Sequence, residues 1–355
     1  MARPLPSGSF PNDIGQVENN GDAMTDLDDG SEAISIGATA LVAQVTGLPA
    51  PAAKGLIGSV YRLLGGGAGY PAAWLQRAVQ GVEDGTAART LIRNELAKAA
   101  ASQAVTDPRI VDRTMWSLLG EGFRKQVNRE AVARAMVEET AKRVADGDDG
   151  ETVEPDADWM NVFTRFAEDA SSERLQSLLG RVLSGEIRKP GAFSLTTLRF
   201  LSELDKPTAD AFIEFSKEVI VDFAPQDDGA VSGERFRLLN TLETSGLITG
   251  FDGNHAKILD MNSSGTYTLV CGDVAIQFSG RPEAKFQPQV YLLTTVAQEI
   301  MTIIPKPDVI SAIKRWVPRI SKSPLTKIDI LKVHTRPDGS TFGRLIETAW
   351  TEADT

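Results

Sequence analysis

The side chains that most often carry out chemistry in enzymes are scarce in this chain. It contains two histidines, His255 and His334, and one cysteine, Cys271. Neither histidine has a second ligand at metal-binding spacing, so we expect a structural or surface role for both. A single cysteine excludes an internal disulfide and a cysteine cluster, and it fits a reducing compartment. Cys271 is expected in a β-hairpin, where no helix N-terminus would activate its thiol.

Other signatures of catalysis or cofactor binding are also missing. The glycine-rich run at 65–69 is not followed by Lys-Ser or Lys-Thr and follows no predicted strand, so it indicates a hinge between helices rather than a phosphate loop. No Walker, Rossmann or kinase signature is present, and no Gly-x-Ser-x-Gly elbow. We therefore predict that the protein is not an enzyme and has no catalytic, cofactor-binding or metal-binding residues.

The acidic residues are concentrated in two segments. The chain of 355 residues has a net charge of −11. Residues 1–35 carry seven acids and one base, and residues 146–158 carry seven acids and no base, which leaves the remainder near neutral. The first segment is predicted to be a disordered tail and the second a solvated linker. The linker lacks the ligand spacing of a calcium loop.

The C-terminal segment has the opposite charge. Eight basic residues between Lys306 and Arg336 are accompanied by Asp308 and Asp329 alone, a net charge of +6. We expect this segment to dock on the acidic segments of the same chain or of a neighbour, and binding to another anionic surface is the alternative. The candidate anion or partner contacts are Lys314, Arg315, Arg319 and Lys322.

The region that must position the rest of the chain extends from Trp159 to Leu204, and we call it the core block. Apolar residues recur there at three- and four-residue spacing in three successive runs, the last one after Pro190-Gly191. This pattern predicts three amphipathic helices that pack on one another. The predicted core residues are Trp159, Phe163, Phe166, Leu175, Leu179 and Leu198.

The region before this core block allows more than one interpretation. No charged side chain occurs from Ala33 to Ala53, and Pro49 and Pro51 interrupt the apolar stretch. We favour short helices buried on the core block, and a membrane-perturbing hairpin formed by residues 36–82 is the alternative. The spacing of apolar residues predicts helices over residues 86–145, and the acids and bases interleaved between them are typical of a solvated helix face.

The region after the core block combines helices with strands. A helix ending at Gly246 precedes two short strands, Tyr267–Val270 and Val274–Phe278, and a helix at Thr294–Ile304. This order is typical of a winged-helix-like module. The first helix carries both signs of charge, so we favour a protein contact over DNA binding. Strands at 328–334 and 341–350 predict a C-terminal β-hairpin.

The predicted fold is mainly α with a small β component, a helical bundle followed by a winged-helix-like α/β module and a C-terminal β-hairpin. The predicted segments are an acidic tail at 1–35, a Gly/Ala-rich helical region at 36–145, a linker at 146–158, the helical core block at 159–225, the winged-helix-like module at 231–305 and the basic segment at 306–355.

Several of these stretches resemble a known family. The block that begins WMNVFTRFAEDASSERLQSLLGRVLSGEIRKPGAFSLTTL, together with LLNTLETSGLI and the small hairpin, is similar to the bacterial domain of unknown function numbered 2806. Earlier pieces such as LPAPAAKGLIG extend the resemblance to about residues 40–305. The core block, with its Trp-led helix and leucine stripe, also resembles abortive-infection alpha-type proteins. The resemblance implies a bacterial intracellular protein connected with phage defence, and it supplies no activity and no functional residues.

The sequence thus favours a non-enzymatic, cytoplasmic interaction or scaffold protein that self-associates or binds a protein partner. The membrane-perturbing effector is the first alternative, with membrane association as its consequence. A nucleic-acid-binding winged-helix protein is the weaker alternative. We expect no cofactor.

Overall fold

A computed structural model describes residues 42–65, 74, 108–226, 231–253, 255–320, 323–336 and 338–352. The predicted acidic tail at 1–35 and Lys322 lie outside these residues, as does the glycine run after Gly65. Gly65 itself ends the first helix with a positive φ of 65°.

Helices dominate the first two thirds of the described chain, and two more lie among the strands of the last third. They are α1 (Lys54–Leu64), α2 (Pro108–Ala145), α3 (Ala157–Asp169), α4 (Glu173–Arg188), α5 (Leu195–Glu203), α6 (Lys206–Ser216), α7 (Gly233–Thr244), α8 (Thr295–Met301) and α9 (Val309–Trp316). Residues 42–46 are also helical. Short 3-10 helices occupy Ala50–Ala53 and Val317–Arg319.

Side-chain caps explain where the core helices begin. The carboxylate of Asp156 accepts from backbone N–H groups at the start of α3, and the hydroxyls of Ser172 and Ser194 do the same for α4 and α5. Asp205 caps α6 in the same way. Each cap satisfies a backbone donor that the helix leaves unpaired, so the four helices are separated by short, defined joints.

The predicted core residues of the helical block lie in one hydrophobic cluster. Phe163, Leu179 and Leu198 are fully buried, and Trp159 is 6% exposed. Phe166 and Leu175 are half-buried and pack against the same cluster. The Trp159 ring stacks on Phe163 with centroids 5.1 Å apart, and its indole N–H donates to the Phe193 carbonyl at 2.7 Å. Trp159 therefore anchors the loop between α4 and α5 to the core.

A close helix contact joins α2 to α4. A Cβ added at Gly180 would lie 2.5 Å from the Cβ of Ala135 and 2.8 Å from the Met136 backbone nitrogen. Thr140 and Ser184, both fully buried, are hydrogen-bonded to each other across the same interface at 3.0 Å. A glycine at position 180 is thus required for α2 and α4 to pack this closely.

Thr152 and Pro155 are buried within the predicted linker, whose other residues are exposed. Thr152 is 2% exposed, its backbone N–H donates to the Ala52 carbonyl at 3.0 Å, and its hydroxyl accepts from the Leu56 N–H at 3.2 Å. The Val153 N–H donates to the Ile187 carbonyl at 2.6 Å. Residues 152–153 therefore join α1 to α4.

Strands are concentrated in the last third of the chain. They are β1 (Phe223–Pro225), β2 (Ile248–Thr249), β3 (Leu259–Asp260), β4 (Thr266–Cys271), β5 (Val274–Gly280), β6 (Lys285–Phe286), β7 (Val290–Leu293), β8 (Leu325–Thr335) and β9 (Thr341–Thr351). The expected arrangement, helices in the N-terminal part and strands toward the C-terminus, is confirmed.

The strands form three antiparallel sheets. One has the order β1-β7-β2, a second pairs β3 with β6, and the third has the order β4-β5-β8-β9. The β4–β5 hairpin turns at Gly272, where φ is 69°. Because β5 pairs with β8 from Val274↔Lys332 to Gly280↔Leu325, the predicted hairpin and the C-terminal strands share one sheet.

A second hydrophobic cluster lies under the four-stranded sheet. Its centre is Trp316 at the end of α9, which is fully buried and packs edge-on against Phe223 at 5.5 Å and Phe278 at 5.7 Å. Ile328 and Ile330 of β8 complete this core and are fully buried. The C-terminal sheet and α9 thus form a body with its own apolar interior.

The charge-poor N-terminal region does not form a spanning helix within the described residues. No helix among them combines the length and apolarity needed to cross a membrane. Helix α1 instead buries Leu56, Val60 and Leu63 completely in the helical core.

Candidate interaction surface

Helix α9 positions the basic residues that the sequence analysis selected. Asp308 caps the helix by accepting from the Ser311 N–H at 3.3 Å and the Ser311 hydroxyl at 2.5 Å, and these bonds lower the pKa of Asp308. Ala312, Ile313 and Trp316 face the core, which turns Lys314 and Arg315 toward neighbouring elements.

Three of the four predicted contact residues bind within the chain. Lys314 forms an ion pair with Glu347 of β9 at 2.7 Å. Arg315 donates to the Lys217 carbonyl at 2.5 Å, and Arg319 donates to Glu218 at 3.2 Å. These cations therefore fasten α9 and the 3-10 helix to β9 and to the segment after α6.

Glu218 links the helical hydrophobic cluster, which includes residues of α7, to the cluster under the four-stranded sheet. Its carboxylate accepts from both terminal nitrogens of Arg235 on α7, at 3.1 and 2.9 Å, and from Arg319. The Glu218 side chain is 16% exposed, so water screens this three-member network less than it screens a surface pair. The network fixes α7 relative to the 3-10 helix that follows α9.

The acidic linker also finds cations nearby. Glu154 pairs with Arg62 of α1, and Asp148 lies 3.7 Å from Arg188 of α4. The cation of Lys332 in the basic segment pairs with Asp273 instead, which lowers the pKa of Asp273. Within the described residues, each of these charges is thus neutralised by its own neighbourhood.

The outer face of the four-stranded sheet carries an apolar row. One residue from each strand lies directly opposite the next in this row: Val270 of β4, Ala275 of β5, Leu331 of β8 and Leu345 of β9. Val270 and Leu345 are each 53% exposed. The adjoining row on this face is polar, and in it the Thr348 hydroxyl donates to Asp329 at 2.7 Å.

Strand β9 is the most exposed part of this sheet. Its first six residues are all exposed, among them Phe342 at 42%, Leu345 at 53% and Ile346 at 43%. At the tip, Phe342 stacks on His334 with centroids 5.3 Å apart, and the Arg336 guanidinium lies 4.7 Å above the same ring. We define the free edge and the exposed side chains of β9 as the β9 surface.

Two ionisable side chains of the described chain, Cys271 and Glu186, are buried. Burial raises the pKa of the Cys271 thiol to about 11, so it is protonated at neutral pH. Glu186 is 2% exposed and accepts the backbone N–H groups of Gly191 at 2.6 Å and Phe193 at 3.0 Å, while burial raises its pKa. No group of three or more His, Cys, Asp or Glu residues within the described chain could hold a metal ion.

Comparison with known proteins identifies one similarity. The profile of a family described as a protein of unknown function (DUF2806) matches residues 119–250, from within α2 to the end of β2. The predicted likeness to this family is confirmed over that range, which is shorter than the expected 40–305. No curated protein and no solved structure matches the chain. The β9 surface lies outside the matched range.

The sequence analysis predicted the strand at β9 but did not identify it as a surface. One signal was available in the adjacent pair Leu345-Ile346. Consecutive residues of a strand point to opposite faces, so two neighbouring large apolar residues cannot both face one core. The core prediction could be made from helical spacing, whereas this exposure depends on how β9 is placed in the sheet.

Proposed function

We propose that this chain is a non-enzymatic interaction protein that assembles with further copies of itself. The observation that carries the proposal is the β9 surface, where Phe342, Leu345 and Ile346 are exposed on a strand at the edge of a sheet. Exposed apolar side chains favour association because burying them removes apolar area from water.

The rest of the described chain supports a scaffold role. Two hydrophobic bodies are fastened together by the Glu218 network, so the β9 surface is presented by a fixed framework. Cys271 and Glu186, the buried groups with raised pKa values, are occupied in packing and loop support. A fixed framework that presents the β9 surface suits binding rather than catalysis.

Light scattering of the full chain tests the proposal directly. We expect a mass above the 38.2 kDa of one chain, rising with protein concentration. A mass that stays at 38.2 kDa across concentrations and salt would contradict self-association.

DNA binding through a winged-helix-like module at 231–305 is the second candidate. The strand order β1-β7-β2, with α7 leading into β2, supports this finer description of the fold. The expected result is a salt-dependent gel shift that weakens when the exposed Arg237 is replaced by Ala. Duplex DNA that does not shift at low salt would exclude this candidate.

We also propose a place in phage defence, on the resemblance of the core block to abortive-infection alpha-type proteins alone. Bacteria that express the chain should then plate phage less efficiently than bacteria that express no copy. Equal plating across a panel of phages would contradict the proposal.

A further inference from the structure

Strand β9 has a free edge in the described sheet. The order β4-β5-β8-β9 places it at one end, paired through one side with β8. It is eleven residues long, whereas β4 at the opposite edge has six. A long edge strand presents a row of backbone N–H and C=O groups that can pair with another strand.

Arg344 of β9 faces a residue of the same charge in its own sheet. Arg344 is directly opposite Lys332 of β8, so two cations are neighbours across the ladder. Lys332 pairs with Asp273. Like charges directly opposite each other destabilise a ladder. An anion arriving at the free side of Arg344 would relieve this repulsion.

Glu347 projects from the same face of the sheet as Arg344. The register pairs Arg344 with Lys332 and Glu347 with Ile330, and a shift between these pairs leaves Ile346 without a partner on β8. Because Ile330 and Lys332 are two residues apart, they share one face, and so do the residues opposite them. Glu347 remains 36% exposed beside Lys314.

This arrangement of charges is self-complementary. Two antiparallel copies of β9, related by a two-fold axis between positions 345 and 346, place Arg344 opposite the partner's Glu347. The symmetry repeats that pair, and Leu345 faces the partner's Ile346. A two-fold interface of this kind closes on itself, so it yields a dimer rather than a filament.

We propose that a second copy of this chain pairs with β9 in this register and joins two four-stranded sheets into one. The inference rests on the proposed self-association and names its surface. Charges and bulges on an edge strand commonly prevent pairing. Here the two charges have opposite signs at a spacing that matches an inverted copy, so they select one register. Strand β4 has no charged residue that could select a register in the same way.

Charge reversals on β9 test the inference. Arg344→Glu places two acids opposite each other at both pairs of its own dimer, and Glu347→Arg places two bases there. We expect each variant alone to associate about tenfold more weakly than the wild type, or weaker still. In an equimolar mixture every pair is again Glu opposite Arg, so a heterodimer should form with near wild-type affinity.

Sedimentation of the full-length variants, alone and mixed, gives the readout. Arg344→Glu faces Lys332 and should fold as well as the wild type. Glu347→Arg also removes the ion pair with Lys314, so its circular dichroism and that of R344E/E347R must match the wild type before their association is compared. The double variant R344E/E347R should then dimerise by itself. Lys285→Glu is the matched control: Lys285 is an exposed cation on β6 that pairs with Asp260 of its own chain, and its reversal should leave association unchanged. A wild type that associates while neither variant weakens it, or a mixture that restores nothing, overturns the β9 register alone. A wild type that is monomeric at all concentrations overturns both the register and the proposed function.

Discussion

The contact between α2 and α4 predicts that Gly180→Ala destabilises the fold. Helix propensity alone favours the substitution by about 1 kcal/mol. The new methyl group, however, would lie 2.5 Å from the Cβ of Ala135 and 2.8 Å from the Met136 backbone nitrogen. Ordinary contacts are close to 3.5–4.0 Å, so the two helices must separate by about 1 Å.

The magnitude follows from what that separation costs. Overpacking a dense core costs about 1–3 kcal/mol, and backbone atoms cannot rotate away as a flexible side chain can. Separation also stretches the buried Thr140–Ser184 hydrogen bond, which contributes about 1 kcal/mol. After subtracting the propensity gain, we expect a net loss of about 1–3 kcal/mol in the free energy of unfolding.

Urea unfolding followed by circular dichroism measures this loss. Gly122→Ala is the matched control, because Gly122 is exposed on α2 and a Cβ there meets nothing within 4 Å. The control should be as stable as the wild type or gain up to about 1 kcal/mol. If Gly180→Ala were as stable as Gly122→Ala, the proposed closeness of α2 and α4 would be wrong.

Two further predictions concern backbone strain and a buried charge. Val221 is 52% exposed and has φ of 62°, a conformation that costs a valine more than a glycine, so Val221→Gly should raise the free energy of unfolding by about 0.5–1 kcal/mol in thermal melts. The control is Val270→Gly, 53% exposed on a strand, which should lower the free energy of unfolding. Burial raises the pKa of Glu186 above its ordinary value of 4.5, so the folded protein holds the carboxyl proton more tightly than the unfolded chain does. The stability that this proton binding gives the fold is therefore lost as pH rises from about 4.5 through the raised pKa. The stability difference between wild type and Glu186→Gln should therefore change over this pH range in denaturant titrations, and a constant difference would contradict the assignment. That variant also tests how strongly the acceptor for the Gly191 and Phe193 N–H groups supports the loop.

The helical part of the fold could be predicted because its determinants are local. Apolar spacing and capping residues such as Asp156 and Ser172 specify where a helix begins and which side it buries. The β4–β5 hairpin was predictable for the same reason, since its turn at Gly272 lies between the two strands it joins.

The remaining features depend on contacts between distant residues. The pairing of β5 with β8 joins strands more than 40 residues apart, and Thr152 meets Ala52 a hundred residues away. Neither has a local pattern that specifies its partner. Net charge identified Lys314 as a contact residue, but its anion, Glu347, is known only from the placement of β9 against α9.

Hydrogen–deuterium exchange of the β9 amides at two protein concentrations tests the central claim most directly. As the protein passes from monomer to dimer, those amides of residues 342–348 that point to the free edge should become protected, while the amides of the opposite edge strand β4 keep their rates. Protection on β9 that rises with the dimer fraction is the predicted result. An increase in mass with concentration, accompanied by unchanged exchange along β9, would contradict the claim that this strand joins the copies.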